Sequence, residues 1–498
     1  MSPPRLLIVG FEAMDRDVVG VAMAEGRLPH LARLHREGTA VDMANPIGML
    51  TGPVWSSIAT GTTPDHHNRL SWRVLEPGTY RMRWLGPYSP PRVPPLWDRL
   101  AEQGVSSVVS SVPTIGPTEA RLVTHVIDWH THDRRGALLT VPADLASELE
   151  QRFGAVRHDR CDHQGAAGEL EPLHARLLEE VDTFAAGIRW LIERARPEVV
   201  FAVCGASHCA GHQFWHLHDP GSPRHDPAAA ARLGDLLVDV YEALDAALGR
   251  LLEHTDASTT VAVVLSHGMS ENTVLPHLSE PILRAIDDAM GPPGRVRWAR
   301  ELLRRTPNRV ARRLLRLAGR PIDRLDHVAD GSRRYFQVEN FPTHASLRLN
   351  LVGREPNGRV QRDEVPALLE RLEAELLAIR DVDSGEPVVR RLIRTADHYG
   401  DVDSSGMGDV LVEWVGDRIV ERVTSPTIGT IERRHRQTRT GQHQQDGLVV
   451  LRGPGIPAGG RTAARSVDLW PTLAAVLGVD AGEVDGQVID AVRPSTCV

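Results

Sequence analysis

The segment GASHCAGHQFWH, residues 205–216, is the most informative part of this chain, because it joins an apolar run to a pair of histidines. The run 199–203 is short and leads into glycine, as expected of a buried parallel strand that ends in a loop. His208 and His212 are four residues apart, so on a helix both project from one face. Two neutral imidazoles can bind the same metal ion. An isolated pair of this kind more often belongs to a polar core or a helix surface, but the preceding strand favours a metal site.

Similar apolar runs recur along the chain and alternate with helical patterns. The runs are 6–9, 105–109, 199–203, 261–265, 410–412 and 448–451, and the helical patterns are 28–35, 173–195, 228–254 and 365–379. Alternating strands and helices predict an α/β fold, with a central, mostly parallel β-sheet flanked by helices on both faces. Ligands in such folds bind beyond the carboxyl ends of the strands, which is where the segment 205–216 is expected to lie.

The length of 498 residues allows a large buried core. We predict a single elaborated α/β domain over residues 1–498, because large α/β enzymes often form one unit. Residues 64–100 are rich in Pro, Trp and Arg without a clean period, and they are predicted to be an insertion that loops over the substrate side. Residues 293–330 carry an arginine-rich helical pattern, which predicts a helical cap or insertion with a solvated face.

The composition excludes several classes of function. The formal net charge of −8 provides no basic field, so neither nucleic acid nor a membrane surface is expected as a partner. All 57 basic residues are arginine, which excludes a catalytic lysine and indicates the coding bias of a GC-rich bacterial genome. The four cysteines fit neither a CxxC zinc site nor a disulfide framework. The apolar run 6–9 is too short for a signal peptide or a membrane span. A cytoplasmic location is therefore expected.

Other polar residues lie beside the predicted strands. His267 follows an apolar run and precedes a glycine, which places its imidazole at the carboxyl edge of the sheet. Glu12 follows the first run, where a carboxylate can bind a metal, whereas Asp15 suits the N-terminus of a helix. His443 precedes the last run, and taken alone it suggests a solvated loop histidine.

Two further stretches contain candidate site residues. Thr51 precedes Gly-Pro and a helical pattern, so its hydroxyl is expected at a helix N-terminus, where backbone N–H groups and the helix dipole favour anions. A simple N-cap threonine is the compatible alternative. Asp128, His130, His132 and Asp133 form a polar cluster, which we predict to be a surface loop, with a pocket-lining role as the alternative.

Segments spread along nearly the whole chain carry a family resemblance. They are residues 9–15, 26–31, 51–55, 60–61, 64–67, 212–219, 266–269, 350–355, 441–443, 467–472 and 485–486. In this combination and order the chain resembles the alkaline phosphatase superfamily, in its type I phosphodiesterase/nucleotide pyrophosphatase branch. The resemblance implies the alkaline phosphatase-like α/β fold.

The resemblance also implies a mechanism. Members of the family hold two metal ions, usually zinc. One ion activates a threonine or serine that attacks phosphorus and forms a covalent phospho-enzyme, and the other places the phosphoryl group and later activates water. Thr51 falls at the position of the nucleophile. His212 and His443 fall at two ligands of one metal, and His267 at a ligand of the other.

Three positions depart from the family pattern. Glu12 and His208 each stand where the family has an aspartate, and Ser266 replaces the aspartate of an Asp-His pair. Carboxylates offset the charge of the two dications, and of the three expected at most one remains. A second metal would therefore be held more weakly.

The implied ligands form two sets. The first set is His208, His212 and His443, and the second is Glu12, Thr51 and His267, with Ser266 as a poor ligand and His216 as a further candidate. We expect a divalent metal, zinc first, as one or two ions. Iron, manganese and copper are alternatives, since imidazole also suits iron and copper.

Three functions are compatible with these residues. The preferred one is a metal-dependent, phosphodiesterase/nucleotide pyrophosphatase-like hydrolase with a threonine nucleophile, acting on a small phosphorylated substrate. The alternative is a mononuclear three-histidine enzyme with Zn, Fe or Cu and non-hydrolytic chemistry in a biosynthetic pathway. A non-catalytic family member is disfavoured, because histidine and glutamate still bind metals. The oligomeric state is not predicted.

Overall fold

The computed structural model describes residues 2–50, 52–85, 89, 91–130, 137–155, 170–291, 327–328, 331–400, 402–436 and 438–492. These residues form two compact units. One comprises Met1–Trp72, Gly86–Asn272 and Gln437–Val498, and the other comprises Arg73–Leu85 and Thr273–Arg436. Thr51, His132, Asp133 and nearly all of the predicted insertion 293–330 lie outside the described residues. The single domain over 1–498 stays a prediction.

The chain alternates between strands and helices. The strands are β1 Leu6–Phe11, β2 Thr39–Ala44, β3 Arg73–Leu75, β4 Arg81–Trp84, β5 Ser107–Ser110, β6 Val123–Ile127, β7 Leu139–Val141, β8 Val199–Cys204, β9 Thr260–Leu265, β10 Gly268–Glu271, β11 His327–Val328, β12 Tyr335–Val338, β13 His344–Leu349, β14 Arg380–Asp381, β15 Val389–Arg394, β16 Val410–Trp414, β17 Arg422–Ser425, β18 Gly429–Glu432, β19 Gly441–Gln444, β20 Gly447–Arg452 and β21 Gly460–Arg465. The helices are α1 Arg16–Ala24, α2 Pro29–Glu37, α3 Gly52–Thr60, α4 Pro64–His67, α5 Leu96–Glu102, α6 Leu145–Phe153, α7 Leu170–Ala195, α8 Ala206–His218, α9 Pro227–Leu233, α10 Leu236–Leu252, α11 Pro276–Met290, α12 Val365–Leu377, α13 Val402–Ser405 and α14 Leu469–Leu477. Among the described helices, none combines the length and the apolar composition needed to cross a bilayer.

The first unit is built on a nine-stranded sheet in the order β21-β2-β20-β9-β1-β8-β5-β6-β7. Strands β9, β1, β8, β5 and β6 are parallel, and antiparallel β20 and β7 border them. Alternate residues of β1 face two separate cores. Leu7 and Val9 pack with α7, α8 and α10, whereas Leu6 and Ile8 pack with α3, α5 and α14. Since helices cover both faces, the strands can be apolar throughout. The predicted α/β fold with a mostly parallel central sheet is confirmed.

The second unit contains three small sheets, in the orders β11-β4-β3, β12-β13-β16-β15 and β14-β17-β18. A buried ion pair lies within it: Arg348 Nε donates to Glu355 Oε1 at 2.9 Å, and the two side chains are 0% and 1% exposed. Arg348 Nη1 also donates to the carbonyls of Val402 and Met407, each at 2.7 Å. These additional hydrogen bonds are what a guanidinium requires when it is removed from water.

Three predicted elements differ in the structure. The helical pattern over 228–254 is two helices, α9 and α10, because Gly234 adopts a φ of 77° and ends the first. The run 410–412 belongs to β16, an antiparallel strand of the second unit, and not to the central sheet. The range 64–100 contains α4, β3, β4 and the start of α5. Its place on the substrate side stays a prediction.

His125 is a buried polar residue in the core of the first unit. It lies in β6, is fully buried, and its ring centroid is 5.5 Å from that of Trp97. Neither imidazole nitrogen has a hydrogen-bond partner among the described residues. Burial lowers the pKa of His125 from 6.5 to about 3, because the charged imidazolium cannot be solvated there. His125 therefore makes the fold sensitive to acid.

Replacing His125 with phenylalanine should remove part of this sensitivity. Below pH 6.5 the unfolded chain binds a proton at this histidine, whereas the folded chain binds it only near pH 3. Stability is thus lost as the pH falls through this window, by up to about 1.4 kcal/mol per pH unit from this group. When the pH falls from 6 to 5, the free energy of unfolding should decrease by about 1 kcal/mol more in the wild type than in His125→Phe. Urea unfolding at each pH measures this difference. Measurements at pH 8, where the imidazole is neutral in both states, control for packing. If the free energy of unfolding depends on pH equally in the wild type and in His125→Phe, the lowered pKa of His125 is contradicted.

Candidate metal centre

Helix α8 presents two histidines at the carboxyl edge of the central sheet. It follows β8 after a single residue, Gly205, whose N–H donates to the carbonyl of His130 at 2.8 Å. His208 and His212 lie one turn apart on this helix and are 2% and 0% exposed. Their ring centroids are 4.5 Å apart. The two imidazoles are therefore neighbours inside the protein and not on a solvated helix face.

Strand β19 brings His443 to this helix. It pairs with β10, and Met269 lies opposite His443. A Cβ at Gly441 would lie 2.1 Å from the carbonyl oxygen of Gly211 in α8, so only glycine allows the strand to approach this closely. The N–H of Thr440 donates to the carbonyl of His212 at 2.7 Å. The interpretation of His443 as a solvated loop histidine is wrong, because it lies on a strand and is 2% exposed.

His208, His212 and His443 form one compact group. The ring of His443 is 4.8 Å from that of His208 and 4.7 Å from that of His212, centroid to centroid. One ring nitrogen of each histidine lies within 4.8 Å of the other two. In the part of the chain that the structure describes, this is the only group of three His, Cys, Asp or Glu side chains with such spacing.

A hydrogen bond determines which nitrogen of His212 can bind a metal. Nδ1 lies 2.7 Å from the carbonyl oxygen of Gly441. Because a carbonyl can only accept, Nδ1 carries the proton and Nε2 keeps its lone pair. Metal-binding histidines usually show this arrangement, in which the second nitrogen donates to a carbonyl or carboxylate. Arg439 Nη1 donates to the same Nε2 at 3.2 Å.

A metal ion fits these three residues. Zinc–nitrogen distances of ~2.0–2.1 Å place the ligands of a tetrahedral site roughly 3.3 Å apart. The ring nitrogens of the present group lie within 4.8 Å of one another, so binding a metal requires them to move closer and requires Arg439 Nη1 to leave His212 Nε2. Three histidines and one open position are typical of hydrolytic zinc sites, and imidazole also suits iron and copper.

His267 lies beside this group. It is fully buried, and its ring centroid is 4.4 Å from that of His443. Burial lowers its pKa to about 3, so the imidazole is neutral at neutral pH. Ser266 Oγ lies 3.0 Å from His267 Nδ1 and accepts the N–H of Ala13 at 3.1 Å. Ser266 therefore connects His267 to the loop after β1, while His267 Nε2 has no hydrogen-bond partner among the described residues.

Glu12 is the other member of the second predicted ligand set that the structure describes. Glu12 is fully buried directly after β1. Its N–H donates to the carbonyl of Cys204 at 3.1 Å, and its carbonyl accepts the hydroxyl of Ser207 at 2.7 Å. Thr51 lies outside the described residues, and the helix after it, α3, begins at Gly52. A role for Glu12 and Thr51 as ligands stays a prediction.

Asp15 has a structural role at this edge. Its carboxylate accepts the N–H groups of Asp17 and Val18, so it caps α1. The same carboxylate accepts the N–H of Met269 at 3.0 Å. Burial raises the pKa of Asp15. The side chain therefore anchors β10, the strand that pairs with β19, and the predicted helix-terminal position is present.

Unusual backbone conformations collect at the same edge of the sheet. Ala13, Ser111, Thr114 and Asp128 all have positive φ, between 51° and 63°. They follow β1, β5 and β6, which are strands of the parallel run. Positive φ is costly for residues with a Cβ, above all for a β-branched threonine, and such strain concentrates at functional sites. The loops at this edge are thus held in specific conformations by their surroundings.

His216 lies outside the three-histidine group, with its Nδ1 3.3 Å from Thr440 Oγ1, and burial together with Arg224 lowers its pKa. The surface loop predicted for the polar cluster is wrong in its described part. Asp128 and His130 are 1% and 0% exposed, because they follow β6 into the interior.

Arg224 holds the segment before β19 in place and is not among the predicted site residues. Arg224 Nη1 donates to the carbonyl of Arg439 at 3.1 Å, and its Nη2 donates to the carbonyl of Thr440 at 3.2 Å. Arg224 Nε donates to Glu271 Oε1 at 2.8 Å. No motif marks these positions. The available signal is that Arg439 and Thr440 directly precede the Gly-x-His of His443.

Comparisons with known proteins agree with this architecture. The family model for type I phosphodiesterase/nucleotide pyrophosphatase matches residues 6–414, a range that ends before His443. No curated protein sequence matches the chain. Phosphonoacetate hydrolase from Sinorhizobium meliloti 1021, solved with phosphonoacetate, is similar with a TM-score of 0.54 and 14% identity over 94% of each chain. Inactive murine ectonucleotide pyrophosphatase/phosphodiesterase 5, solved with AMP, is similar with a TM-score of 0.51 and 11% identity over 98% of this chain and 97% of that one. At these identities the likeness establishes the fold.

Replacing His443 with alanine should lower the affinity for zinc by at least roughly a hundredfold, because the group loses one of its three imidazoles. Competition with a chromogenic chelator and elemental analysis after dialysis measure the affinity and the stoichiometry. His398→Ala, at an exposed histidine, is the matched control and should leave zinc binding unchanged. Equal zinc content in both variants would exclude His443 as a ligand.

Gly441→Ala tests the approach of the strand to the helix. The added Cβ meets the Gly211 backbone, which cannot rotate away, so the strand must move and its bond to His212 Nδ1 lengthens. We expect zinc affinity to fall roughly 10- to 100-fold, as for loss of a partner of a metal-binding histidine. Gly20→Ala, in the middle of α1 with nothing within 4 Å of the new Cβ, is the control. Wild-type affinity in Gly441→Ala would show that the close approach does not matter.

Proposed function

Because the chain belongs to the type I phosphodiesterase/nucleotide pyrophosphatase family, it is a phosphate-ester hydrolase, and we propose that it uses a bound metal ion and the Thr51 hydroxyl as its nucleophile. The observation that carries the metal dependence is the buried group of His208, His212 and His443 at the carboxyl edge of the sheet. Ligand sites of α/β folds lie at that edge.

The three histidines are the proposed metal ligands. When bound, the metal stabilises negative charge on phosphoryl oxygens and lowers the pKa of a coordinated hydroxyl. His212 contributes through its Nε2, since its Nδ1 donates to Gly441. Gly441 and Thr440 keep the strand against the helix, so His212 and His443 are oriented before any ligand arrives.

Thr51 is proposed to attack phosphorus at the start of α3. Its hydroxyl loses a proton, the Oγ–P bond forms, and the bond from phosphorus to the leaving oxygen breaks, with that oxygen taking up a proton. Water then hydrolyses the phosphothreonine and restores the hydroxyl. The position before Gly52 suits this role, because the N–H groups in the first turn of a helix favour an anionic phosphoryl group.

Zinc is the first candidate for the metal, with iron, manganese and copper as alternatives. Glu12 and His267 are proposed to hold a second ion if one binds. Ser266 replaces the carboxylate expected there, and its hydroxyl already contacts Ala13 and His267. A second ion is therefore expected to bind more weakly than the first, since less negative charge offsets its own.

A mononuclear three-histidine enzyme of different chemistry is the second candidate. It is favoured by the same group, which contains no carboxylate among its three members. A single Zn, Fe or Cu ion on three imidazoles would suit non-hydrolytic reactions as well as hydrolysis. Metal identity and stoichiometry separate the two candidates.

The substrate is proposed to be a small phosphorylated molecule. One structural relative was solved with AMP and another with phosphonoacetate, both small anions. The net charge of −8 does not favour nucleic acid or an anionic membrane as a partner. The cytoplasmic location and the bacterial origin stay predictions from the sequence.

Thr51→Ala should lower the hydrolysis of an aryl phosphodiester such as bis(p-nitrophenyl) phosphate by roughly a thousandfold or more, because no other hydroxyl replaces the nucleophile. Thr51→Ser keeps a hydroxyl and should retain part of the rate. Zinc content is measured on the same samples. The zinc on His208, His212 and His443 should remain in Thr51→Ala, because Thr51 belongs only to the second predicted ligand set. Retained turnover in Thr51→Ala would rule out the nucleophile. A wild-type protein with one iron or copper ion and no diester hydrolysis would instead support the second candidate.

A further inference from the structure

The guanidinium of Arg439 lies against the three-histidine group. Its Nη1 donates to His212 Nε2 at 3.2 Å, and this nitrogen is the one that carries a lone pair. Arg439 is partly exposed, so one side of the side chain can be reached from solvent. A permanent positive charge therefore stands directly beside the proposed metal ligands.

The backbone of this arginine is firmly held. Its carbonyl accepts Nη1 of Arg224 at 3.1 Å and Nδ2 of Asn272 at 3.0 Å. The next residue, Thr440, donates its N–H to the carbonyl of His212 at 2.7 Å. Because the main chain is fixed on both sides, the Arg439 side chain starts from a fixed point beside the three-histidine group.

The hydrogen bond to His212 is incompatible with metal binding at the same atom. Nε2 has one lone pair, so it cannot both bind a metal and accept from Arg439. When the metal binds, the Nη1–H group that donates to His212 loses this acceptor and can donate to another one. A phosphate oxygen is a suitable acceptor, because a guanidinium offers several N–H groups in a planar fork that matches phosphate geometry.

We propose that Arg439 binds a non-bridging oxygen of the phosphate ester, together with the metal on His208, His212 and His443. This assignment rests on the proposed function, and it adds a substrate-binding residue at the same site. The guanidinium supplies positive charge without needing carboxylate ligands, which the second predicted ion would require. This charge favours substrates whose phosphoryl group is anionic. We therefore expect inorganic phosphate to inhibit the enzyme.

The test uses zinc-loaded full-length protein and inorganic phosphate as the probe. Isothermal titration should show that Arg439→Gln raises the Kd for phosphate at least tenfold, while the zinc Kd does not rise, because the variant loses a donor that competes with the metal for His212 Nε2. Arg439→Lys should lie between the two, because lysine keeps the charge but loses the fork. Arg461→Gln, at a surface arginine paired with Asp42, is the control and should bind phosphate like the wild type. Diester hydrolysis should show a higher KM in Arg439→Gln.

Each other outcome overturns the assignment. Unchanged phosphate affinity in Arg439→Gln excludes contact with the anion. A parallel loss of zinc and phosphate binding makes Arg439 a support for His212. Tighter zinc binding with unchanged phosphate binding makes it a competitor of the metal. If the wild type binds no zinc, the proposed metal dependence fails, but the role of Arg439 can still be tested. Phosphate is then titrated into the metal-free proteins, and equal phosphate affinities of the wild type and Arg439→Gln would reject Arg439 as an anion-binding residue.

Discussion

The contact between two glycines, Gly211 on α8 and Gly441 on β19, is the constraint on which the site depends. A Cβ at Gly441 would come within 2.1 Å of the Gly211 carbonyl, so the backbones meet without intervening side chains. Two hydrogen bonds connect the same elements in opposite directions. Thr440 N–H donates to the carbonyl of His212, and His212 Nδ1–H donates to the carbonyl of Gly441. These two hydrogen bonds keep His443 next to α8. The bond from His212 Nδ1 also determines the tautomer of His212, so the same contact controls both the packing and the nitrogen that can bind a metal.

The side chains around this contact act mainly through main-chain groups. Asp15 accepts the N–H of Met269 and so anchors β10, while Arg224 donates to the carbonyls of Arg439 and Thr440. Ser266 accepts the N–H of Ala13 beside His267. Asp15 joins the loop after β1 to β10, Ser266 joins the loop after β9 to the loop after β1, and Arg224 holds the segment that precedes β19. The bond from Ala13 to Ser266 supports one of the positive φ angles at that edge, which a loop would not keep in isolation.

The sequence predicts the parts of this site that depend on local pattern, and it fails where tertiary contacts decide. The apolar runs before Glu12, at 199–203 and before Ser266 are strands, because burial on both faces requires continuous apolar residues. The i, i+4 spacing gave the His208–His212 pair. His443 looked solvated because nothing local shows that β19 packs on α8. The same holds for the run 410–412, which is apolar but pairs in the second unit, since apolarity does not specify a partner strand.

Charge decides what this site can bind. Three imidazoles add no negative charge to a bound dication, and Arg439 brings a further positive charge to His212 Nε2. A metal on this group together with the guanidinium is strongly positive, and Glu12 is the one carboxylate in the predicted ligand sets. Such a site is better matched to an anionic ligand than to a second cation, because Coulomb energy in a partly buried site is several-fold larger than in water. The loss of carboxylates relative to the family pattern is therefore compatible with phosphate chemistry. Under the proposed assignment, Arg439 would supply the positive charge that a second ion supplies in the family pattern.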